Sequence, residues 1–147
     1  MTTQAIHVTG HCYCGGIAFA VDLPEGERPI FTAYCHCDSC RRSHAAPLYQ
    51  VACVDETQFR FTRGADLLVE FAKSDKHMIR AFCGQCGTKI LNRFGSWKPG
   101  GKTPLAFFPN TLDEAITHAM PDALLPKKQN QVEECVLELE MLAHLAD

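Results

Sequence analysis

The sequence lacks the features that mark secreted, membrane-spanning and nucleic-acid-binding proteins. No apolar run approaches the roughly 20 residues needed to cross a bilayer. The start of the chain has neither the cationic segment nor the apolar core of a secretory signal. The 14 lysines and arginines are scattered among 17 acidic residues, and the formal net charge is −3. We therefore expect a soluble, cytoplasmic protein with no membrane or nucleic-acid partner.

The sequence also has no internal repeat and only one tryptophan, yet it has nine cysteines among 147 residues. Disulfides are rare in a reducing compartment, and an odd number of cysteines leaves one unpaired. Cysteines separated by one or two residues rarely reach a relaxed disulfide geometry with each other. Such short spacings are instead typical of thiolate ligands to zinc. We therefore interpret most of the cysteines as metal ligands.

Two cysteine pairs that are far apart in the chain predict a closed metal site. Cys12 and Cys14 lie near the start, and Cys83 and Cys86 lie past the middle. Each pair lies between two strand-like runs, so each is expected at the tip of a hairpin. Four thiolates complete the tetrahedral coordination of one zinc ion. We predict a structural zinc that joins the two hairpins and whose loss unfolds much of the domain.

A third motif places Cys35, Cys37 and Cys40 within six residues. Three thiolates leave one position of a tetrahedral zinc for water, a substrate or another side chain. An exchangeable position would accept a substrate thiol, whose pKa zinc lowers. A thiolate is the nucleophile that adds to an aldehyde carbonyl. We therefore predict two zinc ions per chain, the second of them labile and catalytic.

Histidines beside these motifs leave open a second, closed structural site. His44 follows Cys40 by four residues and would share a helix face with it. His36 lies between two predicted ligands and is expected to point away from them, whereas His11 could approach from the neighbouring hairpin. Closure by a histidine would remove the exchangeable position on which the catalytic interpretation depends.

The residues around the triplet include candidate substrate-binding groups. A guanidinium of Arg41 or Arg42 could recognise a carboxylate of the thiol carrier, or both could be solvated side chains on a helical turn. His44, beside the open position, could be a ligand, a base or a steric block. Cys53 and Cys135 lie outside the metal motifs and are interpreted as core thiols.

Short apolar runs separated by glycine and proline predict a mainly β fold. The predicted strands are 6–10, 17–23, 30–34, 49–54, 59–61, 67–71, 78–82, 88–94 and 105–108. The tail is different, because apolar residues from Val132 to Ala146 follow a helical period on two faces. We predict a β domain over 1–125 and a helical extension over 126–147. One helix face would pack on the domain, and the other could form a homodimer.

The three cysteine motifs, in this order, resemble those of the glutathione-dependent formaldehyde-activating enzyme family. They are likewise similar to the zinc domain of the centromere protein V type. The similarity covers about residues 8 to 125, and Asn110-Thr111-Leu112-Asp113 is similar to a further family landmark. The matching motifs are Gly10-His11-Cys12-Tyr13-Cys14-Gly15, Cys35-His36-Cys37-Asp38-Ser39-Cys40-Arg41-Arg42 and Phe82-Cys83-Gly84-Gln85-Cys86-Gly87-Thr88.

The resemblance implies a Mss4-like β-tent of zinc-pinned antiparallel sheets, with a structural zinc on the outer pairs and a labile one on the triplet. It also implies carbon–sulfur lyase activity, with glutathione and formaldehyde forming S-hydroxymethylglutathione reversibly. The chain departs from the family at Ser43-His44-Ala45-Ala46, where small residues are usual, and in the tail from Pro126.

Two other function classes stay open on the sequence alone. A zinc-stapled module that binds a protein, or carries glutathione without catalysis, would use the two-faced tail helix. An enzyme similar to methionine sulfoxide reductases would need a reactive cysteine besides a four-cysteine zinc site. Only Cys53 and Cys135 lie outside the metal motifs, and neither has an activating cation next to it.

Overall fold

A computed structural model of the chain describes residues 4–73 and 77–137, and strands dominate both ranges. The fold is mainly β, as predicted, with two short α-helices and single 3-10 turns among the described residues. The strands are β1 Ile6–His11, β2 Ala18–Leu23, β3 Phe31–Cys35, β4 Tyr49–Asp55, β5 Phe59–Arg63, β6 Leu68–Ala72, β7 Met78–Cys83, β8 Lys89–Phe94, β9 Pro104–Phe107 and β10 Lys128–Asn130. The helices are α1 Asp38–His44 and α2 Asp113–Ile116.

The strands form two sheets. One has the order β1-β2-β5, and the other has the order β10-β3-β4-β9-β8-β7-β6. The β1–β2 and β7–β8 pairs are the two predicted hairpins, and both are antiparallel. The short connections between consecutive strands allow antiparallel pairing without a crossover. The pairing of β10 with β3 is parallel.

The two faces of the larger sheet belong to different packing clusters. Ala52 and Val54 of β4 belong to the main core, together with Phe19 and Val21 of the smaller sheet. Because successive side chains of a strand point to opposite faces, the intervening Val51 and Cys53 belong to a second cluster. That cluster also contains Ala33, Cys35, Cys40, Ala106 and Phe108. The cysteine triplet is thus built on the face of the sheet that lies away from the main core.

A close backbone approach fixes the loop that carries the first cysteine pair. Gly64 follows β5 with φ of 70°, and a Cβ at this position would lie 1.9 Å from the carbonyl oxygen of Gly16. The Arg63 side chain donates from Nη2 to the carbonyl oxygen of Gly15 at 2.6 Å. A residue with a side chain cannot replace Gly64 without moving this loop.

The tail differs from the helical prediction over the residues that the structure describes. Lys128–Asn130 forms an edge strand, and the carbonyl of Asn130 accepts the backbone N–H of His36 at 3.0 Å. Gln131 then adopts a left-handed conformation with φ of 55°, and Val132–Glu134 forms one 3-10 turn rather than an α-helix. The turn brings the Glu134 carboxylate to the backbone N–H of Asp38, at the start of α1.

The rest of the predicted tail helix, residues 138–147, lies outside the described residues, and so does most of the face proposed for dimerisation. The domain boundary after residue 125 stays a prediction. No helix in the ranges 4–73 and 77–137 has the length and hydropathy needed to span a membrane.

Candidate metal and substrate site

The structure brings the two distant cysteine pairs together, as predicted. Cys12 follows β1 and Cys83 ends β7, while Cys14 and Cys86 lie in the turns that follow. The four Sγ atoms lie within 4.8 Å of one another. The Thr88 hydroxyl links the two loops, because it accepts the backbone N–H of Tyr13 at 3.0 Å and lies 3.2 Å from Cys86 Sγ.

The spacing of these sulfurs fits a zinc ion. Sulfurs at about 2.3 Å from a tetrahedral zinc are about 3.8 Å from each other. Cys14 Sγ lies 3.5 Å from Cys12 Sγ and 3.8 Å from Cys83 Sγ. The Thr88 hydroxyl lowers the pKa of Cys86 to about 5 by hydrogen bonding, which favours the thiolate form that a metal requires. This cluster has the donor set of a closed structural site.

The triplet is formed by the end of β3 and the first turn of α1. Cys35 ends β3, and Cys37 is the N-cap of α1, with Sγ accepting the backbone N–H of Cys40 at 3.3 Å. This cap starts the helix at Asp38. The three Sγ atoms lie within 4.8 Å of one another and fit three of the four positions of a tetrahedral zinc.

The thiols of the triplet are electrostatically coupled. Hydrogen bonds from Cys35 and then Cys37 lower the pKa of Cys40 to about 5, and Tyr49 and Arg80 act in the same direction. The hydrogen bond with Cys40, together with burial, raises the pKa of Cys35, and burial raises that of Cys37. The triplet therefore accommodates one negative charge readily, and further thiolates need a balancing cation.

The triplet opens onto a cleft of about 500 Å³. Aromatic rings form one wall, since Trp97 packs edge-on against Phe94 at 5.3 Å and lies 6.0 Å from Phe31. Lys128 and the amide of Asn92 are also among the lining residues. A larger cavity of about 780 Å³ lies near β1 and the start of β3, but no cysteine lines it. The smaller cleft is the candidate substrate site because the thiol donors open onto it.

Two residues that sequence reasoning did not identify contact the triplet. Tyr49 lines the cleft with the triplet, and burial, together with repulsion from the charge of Cys40, raises the pKa of Tyr49 so that the phenol stays protonated. Arg80 Nη2 lies 3.6 Å from Cys40 Sγ. Tyr49 pairs directly with Cys35 across the sheet, whereas Arg80 is on β7. The apolar alternation of β4 and β7 gives no signal for either contact.

The histidines do not complete the donor group of the triplet among the described residues. His44 stacks on Tyr49 at 4.2 Å and meets the edge of Phe108 at 4.6 Å between ring centroids. Burial, with repulsion from Arg80 and Lys89, lowers the pKa of His44 to about 4, so its imidazole is neutral.

The other two histidines are bonded elsewhere. His36 Nε2 lies 2.8 Å from Gln129 Oε1, and His11 Nδ1 lies 2.8 Å from Asp113 Oδ1. The geometry therefore favours an open fourth position at the triplet.

The arginines after the triplet do not line the cleft. Arg41 Nε donates to the carbonyl of His36 at 2.8 Å, and Nη2 lies 3.6 Å from Asp38 Oδ1. Arg42 is exposed on α1. The structure thus gives Arg41 a local structural function, and the predicted recognition of a carboxylate by Arg41 or Arg42 stays a prediction.

The two cysteines outside the metal clusters lack the features of a reactive thiol. Cys53 is fully buried in the second cluster, and burial raises its pKa to about 12. Cys135 Sγ lies 3.5 Å from the carbonyl oxygen of Leu137. The buried surroundings of Cys53 are the opposite of the cationic, low-pKa environment that a catalytic cysteine requires. This arrangement disfavours chemistry of the methionine sulfoxide reductase kind.

A family model described as glutathione-dependent formaldehyde-activating enzyme matches residues 7–125. The chain belongs to this family. The match contains all seven cysteines of the two clusters. A solved structure of a Rhodobacter sphaeroides protein is similar, with a TM-score of 0.58 and 20% identity. The similarity covers 83% of this chain and 99% of that one, which supports the fold.

Proposed function

We propose that the protein is a zinc-dependent carbon–sulfur lyase that adds glutathione to formaldehyde and forms S-hydroxymethylglutathione reversibly. The observation that carries the proposal is the difference between the two cysteine clusters. Four sulfurs close the first, whereas three sulfurs of the second open onto a cleft of about 500 Å³. Membership of the family supports the choice of thiol and aldehyde.

Cys35, Cys37 and Cys40 would hold the labile zinc at the floor of the cleft, and the outer pairs would hold the structural one. When bound, zinc would lower the pKa of the substrate thiol so that the thiolate forms at neutral pH. The Tyr49 hydroxyl and the Arg80 guanidinium would orient the cysteine sulfurs and compensate their charge. The aromatic wall around Trp97 would keep bulk water away from the reacting atoms.

In the reaction, the sulfur of glutathione attacks the formaldehyde carbon. The thiol gives its proton to water, a carbon–sulfur bond forms while the π pair of the carbonyl moves to oxygen, and the oxygen takes a proton from water. The reverse reaction breaks the carbon–sulfur bond and returns both substrates. The cysteine clusters need their thiols reduced, and this requirement supports a cytoplasmic location.

Zinc content and catalysis can be tested on the same preparation. We expect native mass spectrometry of the full chain to give two zinc ions, with glutathione binding to the protein or displacing one ion. Exchange of ¹³C-formaldehyde with its glutathione adduct, followed by NMR, should be faster with the enzyme. Cys37→Ser should retain one zinc and lose the acceleration, whereas Cys135→Ser should behave like the wild type. Zinc-loaded wild type that neither binds glutathione nor accelerates exchange would refute the proposal.

A further inference from the structure

Asn92 is a buried amide that lines the cleft of the cysteine triplet. The residue is 3% exposed, and it lines the cleft together with the three cysteines of the triplet. A carboxamide offers two N–H donors and one acceptor oxygen. In a mostly apolar cleft, a few polar side chains fix the orientation of a ligand, and the Asn92 carboxamide can supply such a bond.

The position of Asn92 relative to the triplet follows from the strand register. Asn92 pairs with Arg80 on one side and with Ala106 on the other, and Ala106 pairs with Cys53. Side chains that are directly opposite have Cβ atoms about 5 Å apart. Arg80, the neighbour of Asn92, reaches Cys40 Sγ at 3.6 Å. Ala106, the neighbour of Asn92 on the other side, belongs to the same cluster as Cys40 and also lines the cleft.

We propose that Asn92 is a catalytic residue that donates a hydrogen bond to the oxygen of the aldehyde and of the hydroxymethyl adduct. The inference rests on the proposed function and adds a binding site for the second substrate. During addition, negative charge moves from the thiol sulfur to the carbonyl oxygen. A fixed N–H donor at this oxygen stabilises the transition state more than the ground state. Much of the neighbouring cleft wall is apolar, including Val51, Phe94 and Ala106.

Binding of two matched thioethers tests the hydrogen bond without turnover. S-hydroxymethylglutathione, kept formed by excess formaldehyde, and S-ethylglutathione, in the same formaldehyde, differ by a hydroxyl in place of a methyl group. Fluorescence of Trp97, the single tryptophan and a cleft residue, reports binding to the zinc-loaded full chain. We expect wild type to prefer the hydroxymethyl compound roughly tenfold, the effect of one hydrogen bond.

The variants Asn92→Leu and Asn92→Ala both remove the amide, the first conserving volume and the second leaving room. Each should lose the preference and bind S-ethylglutathione within about twofold of the wild type. Each should also lower kcat by at least about tenfold while retaining both zinc ions and a similar KM for glutathione. Asn110→Leu, at an exposed asparagine, is the matched control.

The outcomes separate this inference from the proposed function. A wild type that binds neither thioether and does not accelerate exchange refutes the proposed function. An active wild type, with variants that retain both the preference and kcat, overturns the inference and leaves Asn92 as a solvated structural amide. If Asn92→Leu loses zinc and Asn92→Ala does not, the larger side chain has overpacked the site. The binding preference and kcat of Asn92→Ala then decide the inference.

Discussion

The Arg80 guanidinium lies against the Cys40 thiol, with Nη2 at 3.6 Å from Sγ. Three thiolates and a divalent zinc carry one net negative charge, which one guanidinium balances. The four-cysteine cluster carries two net negative charges with zinc. In the proposed reaction, Arg80 would reduce the repulsion that an incoming thiolate meets at the triplet.

Replacing Arg80 should weaken zinc binding at the triplet and leave the four-cysteine site unchanged. Partners that orient metal ligands typically contribute about 10-fold to 100-fold to metal affinity. In Arg80→Met, we expect zinc release to a chromophoric chelator to show one phase accelerated about tenfold and one phase as in wild type. Arg80→Lys retains the charge, so its rate of zinc release should lie between those of the wild type and Arg80→Met. Equal release from wild type and Arg80→Met would contradict the charge-balancing function.

The two clusters should respond differently to loss of one ligand. Cys86→Ser opens the site that joins the β1–β2 and β7–β8 hairpins, and structural zinc contributes on the order of 10 kcal/mol to folding. We expect this variant to lose most of its tertiary structure, measured by NMR amide dispersion. Cys37→Ser should stay folded and bind one zinc, because the triplet lies on the outer face of an already paired sheet. Unfolding of both variants would mean that both ions are structural.

Sequence reasoning predicted both cysteine clusters because short spacings mark the cysteine motifs, and two pairs at hairpin tips supply the four ligands of one zinc. It also predicted the strands, since apolar alternation marks them. It missed β10 because Lys128-Gln129-Asn130 has little β propensity and pairs only through its backbone. It also missed Asn92 and Arg80, which are polar residues in strands. The contact of Arg80 with Cys40 and the place of Asn92 in the cleft depend on a register across β7, β8 and β9 that the linear sequence does not encode locally.

The histidine after the triplet should be dispensable for metal binding. His44 is stacked between Tyr49 and Phe108 rather than joined to the sulfur donors. His44→Phe retains an aromatic ring for both contacts and should bind two zinc ions, counted by native mass spectrometry. If His44→Phe binds only one zinc, the imidazole closes the second site, and the enzyme interpretation fails.

Asp55 should stabilise the fold independently of the metals. Its carboxylate accepts the backbone N–H of Thr57 at 3.0 Å and that of Thr103 at 3.2 Å, and the bond from Thr57 lowers its pKa. Removing such a cap costs about 1 kcal/mol. The free energy of unfolding of Asp55→Ala, measured in urea at saturating zinc, should be lower than that of the wild type by about this amount. A carboxylate whose pKa is lower in the folded than in the unfolded state contributes its full stabilisation above the unfolded-state pKa. That contribution decreases only when the pH falls below this pKa. The difference from wild type should therefore be equal at pH 7 and pH 5, and a cost that varies between these two conditions would contradict this assignment.

The cation that receives an anionic thiol carrier is predicted to be Lys128 rather than Arg42. Lys128 lines the triplet cleft, with Nζ at 4.9 Å from the Phe31 ring centroid, whereas Arg42 is exposed on α1 outside the cleft. A charge near the surface changes binding modestly, so Lys128→Glu should weaken glutathione binding roughly threefold to tenfold in low salt. Lys127→Glu is the matched control, because Lys127 Nζ pairs with Asp122 at 3.0 Å and does not line this cleft. 2-Mercaptoethanol, an uncharged thiol, should bind all variants equally. A larger loss of glutathione binding in Arg42→Glu than in Lys128→Glu would contradict this prediction. It would favour recognition of the carboxylate by the arginine on α1, as the sequence motif predicted.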